Sequence, residues 1–233
     1  MSAPEFWIIA GPNGAGKTTT VQRGELAASL AGATFINPDA ITLSYLQQEG
    51  CDTWEAAPPD LLRRTFIRAA QDAERMLEDL IGAGGCAAVE SVLSTRKYCP
   101  LVERVLALGG DFHLVYVALN SPALSAVRVS NRREHGGHDV PAEKLAPRWR
   151  ASLDLLPWFA VRATSFYILD NSDSRQDQPA RLLISGFAGV VCLHGVPSPG
   201  MRPVVSDFIN AFSSLNTAGK WRLDFAEAYH APD

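Results

Sequence analysis

Basic charge is scarce in this chain. Lys and Arg number 21 against 25 Asp and Glu, a formal net charge of −4 over 233 residues, so no long-range field steers the protein toward nucleic acid. Cysteine is sparse as well. Cys51, Cys86, Cys99 and Cys192 stand far apart, without a CxxC pair or a histidine at zinc-ligand spacing, so neither a zinc site nor a disulfide framework is suggested. No apolar run approaches the ~18 residues of a membrane span. The opening MSAPEFWIIAGPNG has no basic region, and its apolar run is short for a signal peptide. The expectation is a cytoplasmic protein with no membrane and no nucleic-acid partner; a secreted effector delivered by another route would share these features. The remaining composition, 47% hydrophobic and 20% charged, is that of a globular chain able to bury a core.

Short apolar runs alternate with helical patterns along this chain. Strands are expected at 6–10, 33–36, 86–89, 112–119 and 165–169. Helices are expected at 17–30, 60–81, 98–108, 122–133 and 141–156, the last with Pro147 inside it. Over 60–81, Leu62, Phe66, Ala70, Ala73, Leu77 and Leu80 recur at steps of three and four, the mark of one apolar face. Such alternation predicts an α/β fold: a parallel sheet flanked by helices through right-handed crossovers, with ligands at the carboxyl ends of its strands. The polar stretch 171–179 reads as a break, 181–193 as a hairpin around 186–189, and 204–215 as a helix. Residues 1–190 are expected to form the main domain, and 191–233 a C-terminal extension packed on it.

The segment Gly11-Pro12-Asn13-Gly14-Ala15-Gly16-Lys17-Thr18 fits GxxxxGK[ST] at every position, with a strand before it and a helix after it. Its glycines let backbone N–H groups curl around an anion, and the helix after it adds its positive end. Lys17 is suited to the β- and γ-phosphates of ATP and the Thr18 hydroxyl to Mg²⁺; Thr19 completes the nucleotide-binding set. The fold class is therefore P-loop NTPase- or kinase-like, with ATP and Mg²⁺ as cofactors.

The fate of the terminal phosphate depends on the acids and arginines around the loop. Asp39 follows the second strand, where a carboxylate either accepts the proton of an attacking hydroxyl or caps the helix beginning near Ala40. Glu90 follows the third strand. It is suited to Mg²⁺ through water, to a substrate hydroxyl, or to an ion pair with an arginine. Ser94 and Thr95 are candidate substrate contacts or helix caps. The fourth strand ends in Ala118-Leu119-Asn120, without the acid of a mechanochemical ATPase, which points to a kinase-like site. Arg128 and Arg132 lie four residues apart on one helix face, suited to charge on a transferring phosphoryl group. A Gly-rich lid, 135–140, comes next. His135 and His138 have no third partner at metal spacing, which leaves His138 as a loop or substrate residue.

In order, GPNGAGKTT (11–19), INPD (36–39), VESVLST (89–95), VALNSPALSAVRVSNRREHGGHDVP (117–141), Arg148 and FYILDNS (166–172) resemble the zeta toxin-like P-loop kinases. The resemblance covers about residues 5–190. It implies ATP-dependent phosphorylation of a nucleotide sugar, UDP-N-acetylglucosamine in the best-known members, with an antitoxin protein as a partner. Asp39 then matches the general base and Glu90 the acid that binds the sugar nucleotide. Arg128 or Arg132 matches the first of two lid arginines. The second has no match, because His138 stands near its place, as in a GGH-containing branch of the family. Two alternatives keep the phosphate loop: a kinase with another small acceptor, and a regulatory ATPase with a protein partner.

Overall fold

The computed structural model describes residues 2–22, 25–133, 141–173 and 179–224. The Gly-rich lid and His138 lie outside the described residues. The sheet begins with β1 (Glu5–Ala10) and β2 (Thr34–Ile36), followed by β3 (Cys86–Ser91), β4 (Asp111–Ala118) and β5 (Ser165–Asp170). These five are mutually parallel, in the order β2-β3-β1-β4-β5. β1 and β4 lie between other strands, which explains their near-continuous apolar runs FWIIA and FHLVYVA. The chain leaves β1 toward β2 on one side and later enters β4 on the other. The crevice at the carboxyl end of β1 is therefore the place where this topology accommodates a ligand.

The predicted hairpin is present as β6 (Arg181–Phe187) and β7 (Val190–Leu193), with β6 antiparallel to β5 and β7 antiparallel to β6. A last strand, β8 (Arg222–Asp224), runs parallel to β7 and completes an eight-stranded sheet. Helices cover the sheet unequally. α4 (Pro59–Gly82), α5 (Cys99–Ala107), α7 (Ala142–Arg162) and α8 (Arg202–Leu215) contribute to one large core with Phe6, Ile8, Phe112, Tyr116 and Phe166. On the opposite face, Val21 of α1 (Lys17–Gln22) and Leu26 of α2 (Glu25–Ser29) pack with Trp7, Ile9 and Val115.

Several expectations need correction. The helix foreseen over 17–30 is two short helices, α1 and α2. The α4 residues that are buried are Thr65, Ala69, Ala73, Leu77 and Ile81, a stripe turned from the one predicted. Its small residues allow the helix close to its neighbours, while Phe66 stacks on Trp54 with ring centroids 5.0 Å apart. The helix foreseen over 141–156 continues to Arg162 through both Pro147 and Pro157. The third strand runs on to Ser91, so Glu90 lies within it rather than after it. No helix among the described residues is long and apolar enough to cross a membrane.

Candidate active site

The phosphate loop joins β1 to α1 at the carboxyl edge of the sheet. Lys17 Nζ donates to the carbonyl oxygens of Gly11 (2.9 Å) and Pro12 (3.2 Å). Ser125 Oγ donates to the Asn13 carbonyl (2.6 Å), and Asn171 Nδ2 to the Ala15 carbonyl (2.7 Å). With these carbonyls held by protein donors, the loop does not turn them on an anion. A glycine cradle, a helix start and a lysine at its mouth together fit a triphosphate. The Oδ1 of Asn13 is buried with no hydrogen-bond partner among the described residues.

Thr18 Oγ1 donates to Glu90 Oε2 at 3.1 Å. The register explains the meeting: Glu90 sits beside Ile9 in the parallel pairing of β3 with β1, one strand away from the loop. A carboxylate and a hydroxyl at the phosphate end of the loop are oxygen ligands suited to Mg²⁺. Among the described residues no group of three or more His, Cys, Asp or Glu converges on a cation position. The pair fits a metal ion that takes its other ligands from phosphate and water.

Asp39 stands in the first turn of α3 (Pro38–Gln48), exposed. The cap of that helix is Asn37, whose side chain accepts from the N–H groups of Asp39 (2.9 Å) and Ala40 (3.4 Å). Capping therefore does not account for Asp39. Because Ile36 pairs with Val89, Asn37 and Glu90 follow neighbouring positions of adjacent strands, and Asp39 stands two residues further along, in the first turn of α3.

Ser94 and Thr95 follow a turn in which Leu93 is buried at a φ of 61° and its N–H donates to Ser91 Oγ at 3.0 Å. A buried branched residue in the left-handed region is strained. This bend takes the chain away from β3 before α5. The N-cap of α5 is Tyr98, with no side-chain capping bond, so neither Ser94 nor Thr95 caps it. Ser94 is half-buried and Thr95 exposed.

α6 (Pro122–Arg133) lies directly over the loop. A Cβ at Gly14 would come within 3.0 Å of Arg128 Cβ and 3.1 Å of the Ser125 carbonyl oxygen. The Arg128 guanidinium donates to the Asp173 carbonyl at 2.8 Å. Burial lowers its pKa from the ordinary arginine value, against the opposing pull of Asp170 and Asp173. Arg132 follows one turn later in α6, and its side chain lies outside the described ones, as does His138. The loop, Thr18, Glu90 and Arg128 are thus brought together. Ser125 and Asn171 are the contacts that sequence reasoning missed. Asn171 had a faint signal, a polar residue immediately after an apolar strand; Ser125 in its helix had none.

No protein-family model matches the chain, and no curated protein matches it. Solved structures do. One is a chain of the AvrRxo1-ORF1:-ORF2 structure with ATP, 18% identical over 80% of this chain and 59% of that one, with a TM-score of 0.61. Another is from the native AvrRxo1-ORF1:-ORF2 complex, 16% identical over 92% and 65%, TM-score 0.64. A third comes from the PezAT chromosomal toxin-antitoxin system of Streptococcus pneumoniae, 17% identical over 92% and 88%, TM-score 0.58. This chain spans less than two thirds of the length of the AvrRxo1-ORF1:-ORF2 chains it matches. At such identities the likeness is one of fold: an α/β protein with a mostly parallel sheet flanked by helices.

Proposed function

We propose that the protein is an ATP-dependent phosphotransferase acting on a hydroxyl of a small molecule, of zeta toxin-like type, with a nucleotide sugar such as UDP-N-acetylglucosamine as the acceptor class. The observation that carries this reading is the Thr18–Glu90 pair beside the glycine loop, with Asp39 free of capping duty on the acceptor side. The solved relatives support it through their fold, one of them in a structure with ATP and another from a toxin-antitoxin system.

Gly11 to Thr19 bind the triphosphate, with Lys17 moving from the loop carbonyls to phosphate oxygens. Thr18 and Glu90 hold Mg²⁺, which when bound offsets the phosphate charge. Of the roles open to Glu90, its contact with Thr18 favours the metal side over the acceptor. Asp39 takes the proton of the acceptor hydroxyl while that oxygen bonds to the γ-phosphorus and the bond to the ADP oxygen breaks. Arg128, one turn before Arg132, stands over the loop where charge spreads onto the transferring group. Ser94, Thr95 and His138 are assigned to the acceptor. In this reading an antitoxin protein is the macromolecular partner, and the protein works in the cytoplasm.

The test is turnover of ATP and Mg²⁺ against a panel of nucleotide sugars, nucleosides, dinucleotides and other hydroxyl metabolites, with products read by mass spectrometry. Asp39→Asn and Lys17→Ala should each lower turnover by about a hundredfold or more. Undiminished turnover in both variants would refute the site assignment. ATP hydrolysis indifferent to every acceptor would replace the kinase with a regulatory ATPase.

A further inference from the structure

A loop that presents backbone N–H groups to an anion must turn its carbonyls outward. Outward carbonyls pressed against protein need donors, because a buried unpaired carbonyl costs about 1–3 kcal/mol. Within the motif, Lys17 Nζ donates to the carbonyls of Gly11 and Pro12, and the Ala15 N–H also donates to that of Pro12. Lys17 is also the group that binding would draw onto phosphate, so its hold on these carbonyls is temporary. The other two donors are remote. Ser125, fully buried in α6, reaches the Asn13 carbonyl across 112 positions of sequence. Asn171, immediately after β5, reaches the Ala15 carbonyl across 156. Its amide nitrogen lies 2.6 Å from where a Cβ at Gly16 would be, close against the loop.

Both donors are themselves anchored. The Asn171 backbone N–H donates to the Ala118 carbonyl at 3.1 Å, tying it to the end of β4. Ser125 stands one helical turn before Arg128, and the two residues close over Gly14 from the same side. We propose that Ser125 and Asn171 are positioning residues that hold the phosphate loop in its anion-binding shape from the β4–β5 side of β1, with Ser125 also setting α6 against the loop. This rests on the nucleotide-binding reading above. Neither side chain is assigned a contact with nucleotide; each acts through a loop carbonyl, so its effect falls on the phosphates lodged in the loop and not on the nucleoside.

The experiment compares Ser125→Ala, Asn171→Ala and the double variant with wild type, measuring binding of ATP and of AMP by calorimetry, with Mg²⁺ present. AMP lacks the β- and γ-phosphates that the loop serves. A positioning role predicts ATP affinity lower by roughly tenfold for each single variant, the worth of one hydrogen bond, and AMP affinity unchanged. A purely structural role lowers folding stability without separating the two ligands. Variants that bind ATP as wild type does, or that lose ATP and AMP equally, overturn the proposal while leaving the kinase reading standing. Wild-type protein that binds neither nucleotide overturns the kinase reading and this role with it. If Ser125→Ala does not fold, Asn171→Ala, a half-buried position, decides the matter alone by the same ratio.

Discussion

Gly11 is where the loop tolerates a side chain least. Its φ is 140°, and an added Cβ would collide with the carbonyl oxygen of Val117, backbone of the central strand β4 that cannot swing away. Gly11→Ala combines backbone strain with overpacking, and a loss of about 2–5 kcal/mol of stability is expected, measured by urea unfolding. A variant within about 0.5 kcal/mol of wild type would mean that the loop leaves β1 by another path. Gly11, Lys17 and Thr18 are legible in the sequence because a phosphate loop is a local object: its spacing encodes its shape. Glu90 is legible as a strand-end acid, but its partner is not. Its meeting with Thr18 depends on the register of β3 against β1, which no stretch of sequence records. Sequence leaves two roles open to Asp39, and Asn37, two residues earlier, removes one of them by taking the cap.

At the scale of elements, strands are easier to read than the faces of helices. The apolar residues of 112–119 mark a strand, and its one histidine carries no meaning in that pattern. In the structure His113 stacks on Trp7 at 4.3 Å, with Nδ1 2.8 Å from Ser165 Oγ and Nε2 3.4 Å from Glu5 Oε1. Burial lowers its pKa below the ordinary histidine value, partly opposed by Glu5 and Asp111. A depressed folded pKa means that the unfolded chain binds the proton more readily. The stability associated with neutral His113 is therefore complete above the unfolded pKa, about 6.5, and is lost as pH falls below it toward the folded value. Thermal midpoints should decline from about pH 7.5 to about pH 5.5, and less steeply in His113→Gln. Equal slopes in the two proteins would show that His113 does not couple folding to protons. The stripe on α4 is misplaced by a similar blindness. Periodicity finds an apolar face, but Trp54, in the loop just before α4 and outside its helical pattern, takes Phe66 to itself. Sequence cuts the long α7 short because Pro157 breaks the helical rule locally, while burial of Leu156, Phe159 and Ala160 carries the helix past it.

For the whole molecule, the question is whether residues beyond about 190 are an appendage. β7 begins at Val190, and the chain beyond it is built into the same core. Phe208 and Phe212 of α8, with Trp221, surround Phe166 of β5 at centroid distances of 5.3–6.1 Å. Trp221 Nε1 donates to the Val161 carbonyl, and Lys220 Nζ to the carbonyls of Arg162 and Ala163 at the end of α7. Burial of Phe208, Phe212 and Trp221 is worth roughly 1.5–3 kcal/mol each, comparable in total to the net stability of about 5–15 kcal/mol that a domain of this kind retains. A chain ending at residue 190 would lose those three rings, expose Phe166 and leave β6 without its outer neighbour. It should fail to give a cooperative thermal transition by circular dichroism, whereas the 233-residue chain should give one. A monomeric 1–190 fragment that melts cooperatively and binds ATP would make the C-terminal segment a separable extension. The consequence reaches the site, because Ser172, beside Asn171, links the Asn120 backbone N–H (2.9 Å) to Met201 Sδ (3.7 Å) just before α8. Loss of the C-terminal segment should therefore disturb the flank that holds the phosphate loop as well as the core that supports it.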